Sequence, residues 1–501
     1  MADFQTIAAA LFLVILTIFV FLKRKKLDTK QVINYFVYFS VYRTTLGLKL
    51  MNSMAKYKKV VIYILSILGL TSISIISIVP LIEKTIKGLP YAYEISVIVA
   101  IIAIILACFS IFIPLDYKMP VVGFLGMIFI GFLLIYNVLI LFTKPEAVSG
   151  VGLVLPFKAK GVFFVPFFYW IISIFVIAIA HEFSHGIAAR TYNLKVKSSG
   201  FAFLGSSFKG AGIIIILLSL YIKIKSNGYT FSSSFNFFDY SSPDFWMIIG
   251  IVLLVVSLFK NFIIPVIPAA FVEPDEKKLK KMPHKEQLSV FAAGPLANIA
   301  LGLLFVAIAS FVLAPLADAI IEPNGVKITD YVKDKQAYPA EKAGIKIGEV
   351  VQKIDGMPTP YMDNLSSVMK TKKPNDIIVL KTDKESYEVK LAKNPQNEST
   401  GYLGAYLEQS AEIKENVKNV YGEFLPDALL WTYGLFVILF ILNMGIGLFN
   451  LAPIGPLDGG RMLQLAMHKI FGTERGNKYW IYVGIFFLAL ILVNIAAGFV
   501  K

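Results

Sequence analysis

The sequence predicts an all-α polytopic membrane protein of about eight to ten transmembrane helices, with a small inserted α/β domain. The first reason is composition: the chain is 57% hydrophobic and only 16% charged, whereas soluble domains are about 45–50% apolar and about 25% charged. The second reason is a series of long runs without a charged residue. The third is one stretch, Gly325–Glu408, in which polar and apolar residues alternate as they do in strands.

Eight runs lack Lys, Arg, Asp and Glu, and each approaches or exceeds the roughly 18 residues that cross about 30 Å of hydrocarbon as a helix. They are Phe4–Leu22, Val61–Ile82, Ile95–Leu115, Met119–Thr143, Gly161–Ala180, Gln287–Ala317, Ala428–Leu457 and Trp480–Val500. Two weaker candidates are Ala211–Ile222, which is short enough to be re-entrant, and Phe245–Phe259. These segments predict a chain that crosses the bilayer many times.

The net charge of +15 lies in short loops beside these segments. Residues 322–423 hold 15 Lys and 16 acidic residues, so they contribute nothing to the basic excess. If all ten segments cross and the N-terminus is outside, the predicted cytosolic loops hold 25 Lys and Arg, and three short outer loops hold 7. This bias is typical of cytosolic loops beside anionic lipid. We therefore predict contact with the lipid bilayer and no binding of nucleic acid.

The alternating stretch Gly325–Glu408 is not membrane-like. Its strand-like runs are Val326–Val332, Val350–Ile354, Ile377–Lys381 and Tyr387–Leu391. Two helical stretches, Pro339–Gly344 and Asn364–Thr371, interrupt them. This pattern predicts a small soluble domain between two membrane helices, on the outer face in the topology given above.

Residues 181–185 read His-Glu-Phe-Ser-His, an H-E-x-x-H pattern. At about 100° per residue, His181, Glu182 and His185 lie at roughly 0°, 100° and 40° around a helix and so share one face. Two imidazoles one turn apart can hold one Zn²⁺, and the carboxylate between them can take the proton of a metal-bound water. The alternative is a chance match. A metal site is favoured because three such residues in hydrocarbon cost several kcal/mol unless a cation compensates.

Asp458 is the candidate third ligand, because a catalytic zinc takes three protein ligands and one open position. It follows a charge-free run, at a point where several Pro and Gly residues break the helix. Taken alone, Asp458 is equally consistent with a turn aspartate before glycine. The predicted topology favours the ligand, because the helices before His185 and before Asp458 both run from outside to inside.

These residues resemble the site-2 protease family of intramembrane metalloproteases. The resemblance is carried by H-E-F-S-H, by A-G-P-L-A-N ending at Asn298, and by N-x-x-P-x-x-P-L-D-G-G from Asn450 to Gly460. Gly325–Glu408 resembles a PDZ domain through P-A-E-K-A-G-I-K-I-G and V-Q-K-I-D-G. The order of the four elements along the chain is also that of the family.

The resemblance implies that His181, His185 and Asp458 bind one zinc ion and that Glu182 is the general acid/base. It also implies that Asn298 and Asn450 lie near the active site. Asn298 is equally consistent with a helix–helix hydrogen bond and with substrate positioning or an oxyanion role. For Asn450, the alternative to a site role is a cap at the helix break.

The implied organisation is two membrane parts of a protease core, residues 161–321 and 424–501, around a PDZ-like domain at 325–408, with accessory transmembrane helices at 1–160. The implied function is a zinc metalloendopeptidase that cuts transmembrane or juxtamembrane bonds of membrane proteins. It is expected in a prokaryotic plasma membrane, with the active site toward the cytosol and the outer PDZ-like domain gating substrates. The strand-prone stretch Lys195–Leu204 is expected to pair with an unwound substrate along its edge.

Two other functional classes are compatible with the motifs. A non-proteolytic metal-binding receptor or transporter is the first, because intramembrane His and Asp also mark ion pathways. Transport would favour polar residues spread along several helices, whereas these cluster near one face. The second, an inactive scaffold that displays the PDZ-like module, is disfavoured because Glu182 is intact.

Overall fold

The structure is a computed structural model that describes residues 4–33, 36–45, 47–71, 113–144, 147, 149–156, 160–225, 243–259, 263–332, 338–395 and 397–500. The chain divides into two units, Met1–Val306 with Val437–Lys501, and Ala307–Phe436. The described part is mostly helical. Its longer helices are Phe4–Lys23, Leu48–Ala55, 58–71, Leu115–Thr143, Phe167–Thr191, Phe208–Lys225, Pro243–Phe259, His284–Ile320, Phe424–Asn450 and Asp458–Val500.

Five of these helices are long and apolar enough to cross a membrane, and each overlaps a predicted run. They are Leu115–Thr143, Phe167–Thr191, His284–Ile320, Phe424–Asn450 and Asp458–Val500. The prediction of a polytopic, mostly helical membrane protein is therefore confirmed. The prediction that its membrane part is all-α is wrong, because a four-stranded sheet lies in the same unit as these helices.

Of the other predicted segments, three are described in full and two only in part. The first run, Phe4–Leu22, is the helix Phe4–Lys23, and the two weaker candidates are the helices Phe208–Lys225 and Pro243–Phe259. Most of the run at 95–115 and the end of the run at 61–82 lie outside the described residues. The number of crossings, about eight to ten, therefore remains a prediction.

Backbone conformation explains where one important helix ends and where another bends. The helix with the H-E-x-x-H motif, Phe167–Thr191, is named the HEFSH helix. It follows Pro166 and is ended by Asn193, whose φ of 58° is left-handed. The helix Asp458–Val500, named the Asp458 helix, bends at Gly472, where φ is 75° and ψ is 169°. A Cβ on Gly476 would lie 2.5 Å from the carbonyl oxygen of Met467, so the two halves of this helix fold back against each other.

A four-stranded antiparallel sheet lies in the same unit as the HEFSH helix. Its order is Leu27–Ile33, Val37–Thr44, Val196–Ser207 and Ile263–Pro274. Val196–Ser207 confirms that Lys195–Leu204 is strand-prone, but the prediction that it offers a free edge is wrong. Both of its sides are paired, so Ile263–Pro274 is the edge strand beside the HEFSH helix.

Two stretches outside the motif-bearing helices take part in this sheet or interrupt it. Residues 27–44, within the stretch predicted as accessory helices, supply two of the four strands. The two weaker hydrophobic candidates form the helices Phe208–Lys225 and Pro243–Phe259 between the other two strands. These helices touch at glycine, because a Cβ on Gly212 would lie 2.7 Å from the carbonyl oxygen of Gly250. A two-stranded parallel sheet, Leu153–Leu155 with Val162–Phe164, precedes the HEFSH helix.

The core of this unit is built where several of its helices meet. The helix His284–Ile320 contains the A-G-P-L-A-N motif and is named the AGPLAN helix. Its Leu296 and Ile299 are fully buried in a cluster that also includes Met119, Ile187 and Met462. Small residues on the facing helices let them approach closely. A Cβ on Gly447 of the helix Phe424–Asn450, for example, would lie 3.0 Å from the Pro295 carbonyl oxygen.

The unit Ala307–Phe436 contains a six-stranded sheet with its own core. Its main path is Ser386–Lys390, Ile377–Thr382, Val350–Ile354, Ile321–Tyr331 and Ala405–Ile413, and Met357–Pro358 pairs with Val350–Ile354. A short pair, Ala392–Lys393 and Gly401–Tyr402, and the helices Pro339–Lys342, Met362–Lys370 and Glu415–Tyr421 complete it. The four predicted strands and two predicted helices match this unit. The strand Ala405–Ile413 was missed, and it widens the unit beyond 325–408 by pairing as far as Ile321.

Candidate metal centre

Three side chains from two distant parts of the sequence converge in the unit that contains the HEFSH helix. The Nε2 atoms of His181 and His185 are 3.1 Å apart. One carboxylate oxygen of Asp458, Oδ2, lies 3.0 Å from the first nitrogen and 3.2 Å from the second. Each side chain is only 13–14% exposed. Within the described part of the chain, these three residues form the one cluster of His, Cys, Asp or Glu that could hold a metal ion.

A carbonyl of the AGPLAN helix fixes the ring of His185. Its Nδ1 lies 2.7 Å from the carbonyl oxygen of Val290. Because that oxygen only accepts, Nδ1 carries the proton and donates it, which leaves the lone pair of Nε2 available to a metal.

The approach of the imidazoles to the AGPLAN helix requires glycine. A Cβ on Gly294 would lie 2.4 Å from Nε2 of His185 and 2.8 Å from Nε2 of His181. No side chain fits at such distances. The glycine of the A-G-P-L-A-N motif therefore leaves the space that the ligand atoms occupy.

The side chain of Asn298 contacts the other imidazole. Its Nδ2 lies 3.3 Å from Nδ1 of His181. Its Oδ1 is buried and has no hydrogen-bond partner. Nε2 of His181 must be unprotonated to bind a cation, so the neutral ring carries its proton on Nδ1. A half-turn of the Asn298 amide, which exchanges oxygen and nitrogen, would let Oδ1 accept a hydrogen bond from that N–H.

Two glycines position Asp458. This residue begins the Asp458 helix directly after the irregular segment Leu451–Leu457. A Cβ on Gly459 would lie 2.1 Å from the Leu451 carbonyl oxygen, and one on Gly460 would lie 2.0 Å from that of Ile454. Only glycine allows this contact. The D-G-G sequence therefore folds the start of the helix against the preceding segment, and Asp458 reaches the two histidines.

Glu182 lies beside the cluster and contacts the edge strand Ile263–Pro274. Its Oε2 accepts a hydrogen bond of 3.0 Å from the backbone N–H of Val272. The next residue, Glu273, contacts side chains of the sheet and not the three converging residues. A hydrogen bond from Ser198, 2.8 Å long, and the nearby Arg43 hold the pKa of its carboxyl below the ordinary value.

The donor set suits a zinc ion. Two ligands of one tetrahedral Zn²⁺ lie about 3.3 Å apart when the metal–ligand bonds are about 2.0–2.1 Å. The three donor–donor distances, 3.0–3.2 Å, are close to that value. Two imidazoles and a carboxylate are also a ligand combination that zinc favours.

The model of peptidase family M50 matches residues 169–491, which include the HEFSH helix, the AGPLAN helix and Asp458. The chain belongs to peptidase family M50. This M50 chain is 23% identical over 264 residues to "Regulator of sigma-W protease RasP" of Bacillus subtilis, covering 44% of this chain and 60% of that protein. It is 22% identical over 327 residues to "Uncharacterized protein MJ0971" of Methanocaldococcus jannaschii, covering 64% of this chain and 62% of that one.

A third relative is "Zinc metalloprotease RasP" of Bacillus licheniformis, which is 23% identical over 249 residues. That match covers 42% of this chain and 57% of the relative. The chain therefore spans about 60% of the length of these curated relatives. The resemblance to the site-2 protease family noted in the sequence is confirmed.

The role of Asn450 near the active site stays a prediction. This residue is half-buried at the end of its helix, and no hydrogen bond within the described residues joins it to the three converging side chains. The residues that sequence reasoning missed act through backbone or through the lack of a side chain. Gly294 stood inside a recognised motif, but the Val290 carbonyl and the Val272 amide have no sequence pattern that would reveal them.

Proposed function

We propose that this chain is an intramembrane zinc metalloendopeptidase that cleaves transmembrane or juxtamembrane peptide bonds of membrane proteins. The observation that carries the proposal is the convergence of His181, His185 and Asp458 on one point, with Glu182 beside them. These residues lie on helices long and apolar enough to cross a membrane. The name of the Bacillus licheniformis relative, a zinc metalloprotease, supports the same metal and the same reaction.

In the proposed mechanism, His181, His185 and Asp458 would hold the ion, and bound zinc would polarise the attacking water and the scissile carbonyl. Glu182 takes the proton of that water and passes it to the nitrogen of the leaving amine. The Val272 amide occupies Oε2 of Glu182, so Oε1 is the oxygen that we expect to carry the proton. The Val290 carbonyl keeps His185 in the tautomer that binds a cation, because it accepts from Nδ1. Asn298 does the same for His181 when its amide is turned so that Oδ1 faces Nδ1.

The substrate must unwind before its peptide bond can be attacked, and the edge strand Ile263–Pro274 offers it a place to pair. Within the described chain this strand has one strand neighbour, Val196–Ser207. The Val272 amide points away from that neighbour, toward Glu182. By the alternation of an antiparallel ladder, the Ala270 amide points the same way. We infer that an unwound substrate adds here as a further strand, next to the general base.

The unit Ala307–Phe436 is proposed to act as a PDZ-like filter. It is inserted between two membrane helices of the protease core and has its own buried core, which includes Val326, Ile354 and Leu380. The excess of 25 basic residues over 7 in the loops supports a topology with this unit outside and the HEFSH motif toward the cytosol of a prokaryote. A unit so placed would exclude substrates whose outer portions have not been trimmed.

The decisive test replaces Glu182 with Gln in the full-length protein. We expect the variant to keep bound zinc but to lose at least about a hundredfold in cleavage, because general acid–base catalysis supplies about that much. Activity on a panel of membrane proteins and zinc content would be measured on the same preparations. His181→Ala is the companion variant, and it should lose the metal as well as the activity.

The test also separates peptidase from receptor or transporter. The opposing result is a wild-type protein that binds zinc and yet shows no cleavage beyond that of Glu182→Gln on any substrate of the panel. In that case the alternative of a non-proteolytic metal-binding membrane protein would replace the proposal. Cleavage by Glu182→Gln at the wild-type rate would remove that residue from the mechanism.

A further inference from the structure

A cluster of lysines surrounds a cavity of about 700 Å³ on the unit that contains the protease core. Its lining includes Lys56, Lys58, Lys59 and Lys285 together with Asp116. We name it the lysine pocket. Four ammonium groups against one carboxylate give the lining a net charge of +3 at neutral pH. Nothing in the peptidase chemistry described above uses this charge.

The single carboxylate holds two of the lysines in place. Asp116 accepts from Lys58 at 3.0 Å through Oδ1 and from Lys285 at 3.2 Å through Oδ2. The ammonium of Lys58 also lies 4.3 Å from the centre of the Tyr192 ring, and that of Lys285 lies 5.6 Å from the centre of Tyr117. These contacts preorganise the pocket for an anion. Lys56 and Lys59 remain exposed at its rim.

The pocket lies at the N-terminal end of a candidate membrane span. Leu115, which lines it, is the first residue of the membrane span Leu115–Thr143. Tyr57 and Tyr117 are 65% and 49% exposed beside the lysines, as tyrosines are at the boundary between headgroups and acyl chains. An anion that reaches this pocket therefore comes from the headgroup layer or from the solution next to it.

An apolar strip begins at the pocket and favours the headgroup layer. Val60 lines the cavity, and Ile64 and Ile67 follow at helical spacing on the helix 58–71. All three are at least half exposed within the described chain. A free phosphate would use only the lysines, whereas a phospholipid would also lay an acyl chain on this strip. The juxtaposition fits a molecule with an anionic head and an apolar tail.

We propose that the lysine pocket is a binding site for the phosphate of an anionic phospholipid, whose acyl chain lies along Val60, Ile64 and Ile67. Lys58 and Lys285, which Asp116 holds in place, and Lys56 and Lys59 at the rim would attract the phosphate. Because Lys285 lies in the first turn of the AGPLAN helix, a bound lipid would brace the helix that carries Gly294 and Asn298.

The test uses purified full-length protein in neutral detergent, titrated with phosphatidylglycerol or with phosphatidylcholine of the same acyl chains. Bound lipid is counted by native mass spectrometry, and thermal unfolding is followed in parallel. We expect phosphatidylglycerol to bind and to raise the unfolding temperature, and phosphatidylcholine to do neither. Lys56→Gln with Lys59→Gln, which keeps the Asp116 ion pairs, should weaken phosphatidylglycerol binding about 30-fold.

A matched variant controls for general charge. Lys25→Gln with Lys26→Gln removes two exposed lysines from the same predicted side, outside the lysine pocket. It should bind phosphatidylglycerol as wild type does. Three results would overturn the proposal. The two double variants could lose the same affinity for phosphatidylglycerol, wild type could bind both lipids equally, or Lys56→Gln with Lys59→Gln could bind phosphatidylglycerol as wild type does. Displacement of the lipid by millimolar inorganic phosphate would also overturn it, because the pocket would then be a site for free phosphate.

Discussion

Gly294 has no side chain because the two imidazoles occupy the space where one would be. A Cβ there would lie 2.4 Å from Nε2 of His185. We predict that Gly294→Ala lowers zinc affinity about 10- to 100-fold, because overpacking at a rigid site costs roughly 1–3 kcal/mol. Competition with a chelator of known affinity would measure this on the purified protein.

Gly445→Ala is the control for this prediction. Gly445 lies on the helix Phe424–Asn450, and a Cβ there would meet nothing within 4 Å. It should bind zinc with wild-type affinity. If Gly294→Ala does the same, the imidazoles have room to move and the tight approach does not define the site.

For Asn298 the sequence left two roles open, a hydrogen bond between helices and a contact with the substrate. Its amide contacts Nδ1 of His181, so we predict that Asn298→Ala weakens zinc binding about 10- to 100-fold, the usual cost of losing a group that orients a metal ligand. Zinc affinity and cleavage would be measured together. Loss of cleavage with unchanged zinc affinity would assign Asn298 to the substrate instead.

Asn443→Ala provides a matched comparison for Asn298→Ala. Asn443 is also fully buried in the same unit, but its Nδ2 donates to the Leu439 carbonyl of its own helix. Its loss should leave zinc affinity unchanged. An equal fall in both variants would point to general destabilisation of the helices.

At the level of secondary structure, the free side of the strand Ile263–Pro274 is the element on which substrate binding depends. Ala270→Pro removes an amide that points away from the paired strand Val196–Ser207, so the sheet should remain intact. We predict about a fivefold rise in KM with zinc content unchanged, because one hydrogen bond to the substrate contributes about 1 kcal/mol. Steady-state kinetics on a detergent-solubilised substrate would show it.

Ala270→Val tests whether the effect comes from the backbone or from the side chain. It keeps the amide and adds bulk, and it should have a KM close to that of wild type. A similar rise in both variants would mean that the side-chain position matters and that substrate does not pair along this edge.

At the scale of the whole molecule, the inserted unit can be deleted between the last paired residues of two of its strands. Ile321 and Ile413 are paired partners at the end of the sheet, so their Cα atoms are about 4.5–5.5 Å apart. Replacing residues 322–412 with two glycines should therefore keep the flanking helices joined. We predict unchanged zinc content and cleavage of untrimmed as well as trimmed substrates, measured with both forms of one membrane protein.

The filter role also requires the unit to face the outside. Ser367 is exposed on the helix Met362–Lys370. Ser367→Cys in a Cys108→Ser background should therefore react with an impermeant reagent in intact cells. Protection until lysis would place the unit in the cytosol. Persistent discrimination against untrimmed substrates after the deletion would exclude the filter by another route.

Much of this protein is determined by short-range chemistry that the sequence displays. The lengths of the charge-free runs reflect the thickness of hydrocarbon, and five of them are long apolar helices. Alternation with period two identified four strands of the inserted unit, because one face of each is buried. His181 and His185 share a helix, and their common face follows from the helical repeat.

Only the tertiary structure decided how distant parts meet. The joining of Asp458 to the two histidines depends on glycine contacts at Gly294, Gly459 and Gly460, where backbone or ligand atoms fill the space of a side chain. The sheet order could not be derived either. Strand Val196–Ser207 was expected to be an edge, but hydrogen bonds from residues 37–44 and 263–274 cover both sides. Backbone hydrogen bonds carry little side-chain information, so the sequence reveals which segments are strands but not which of them remain unpaired.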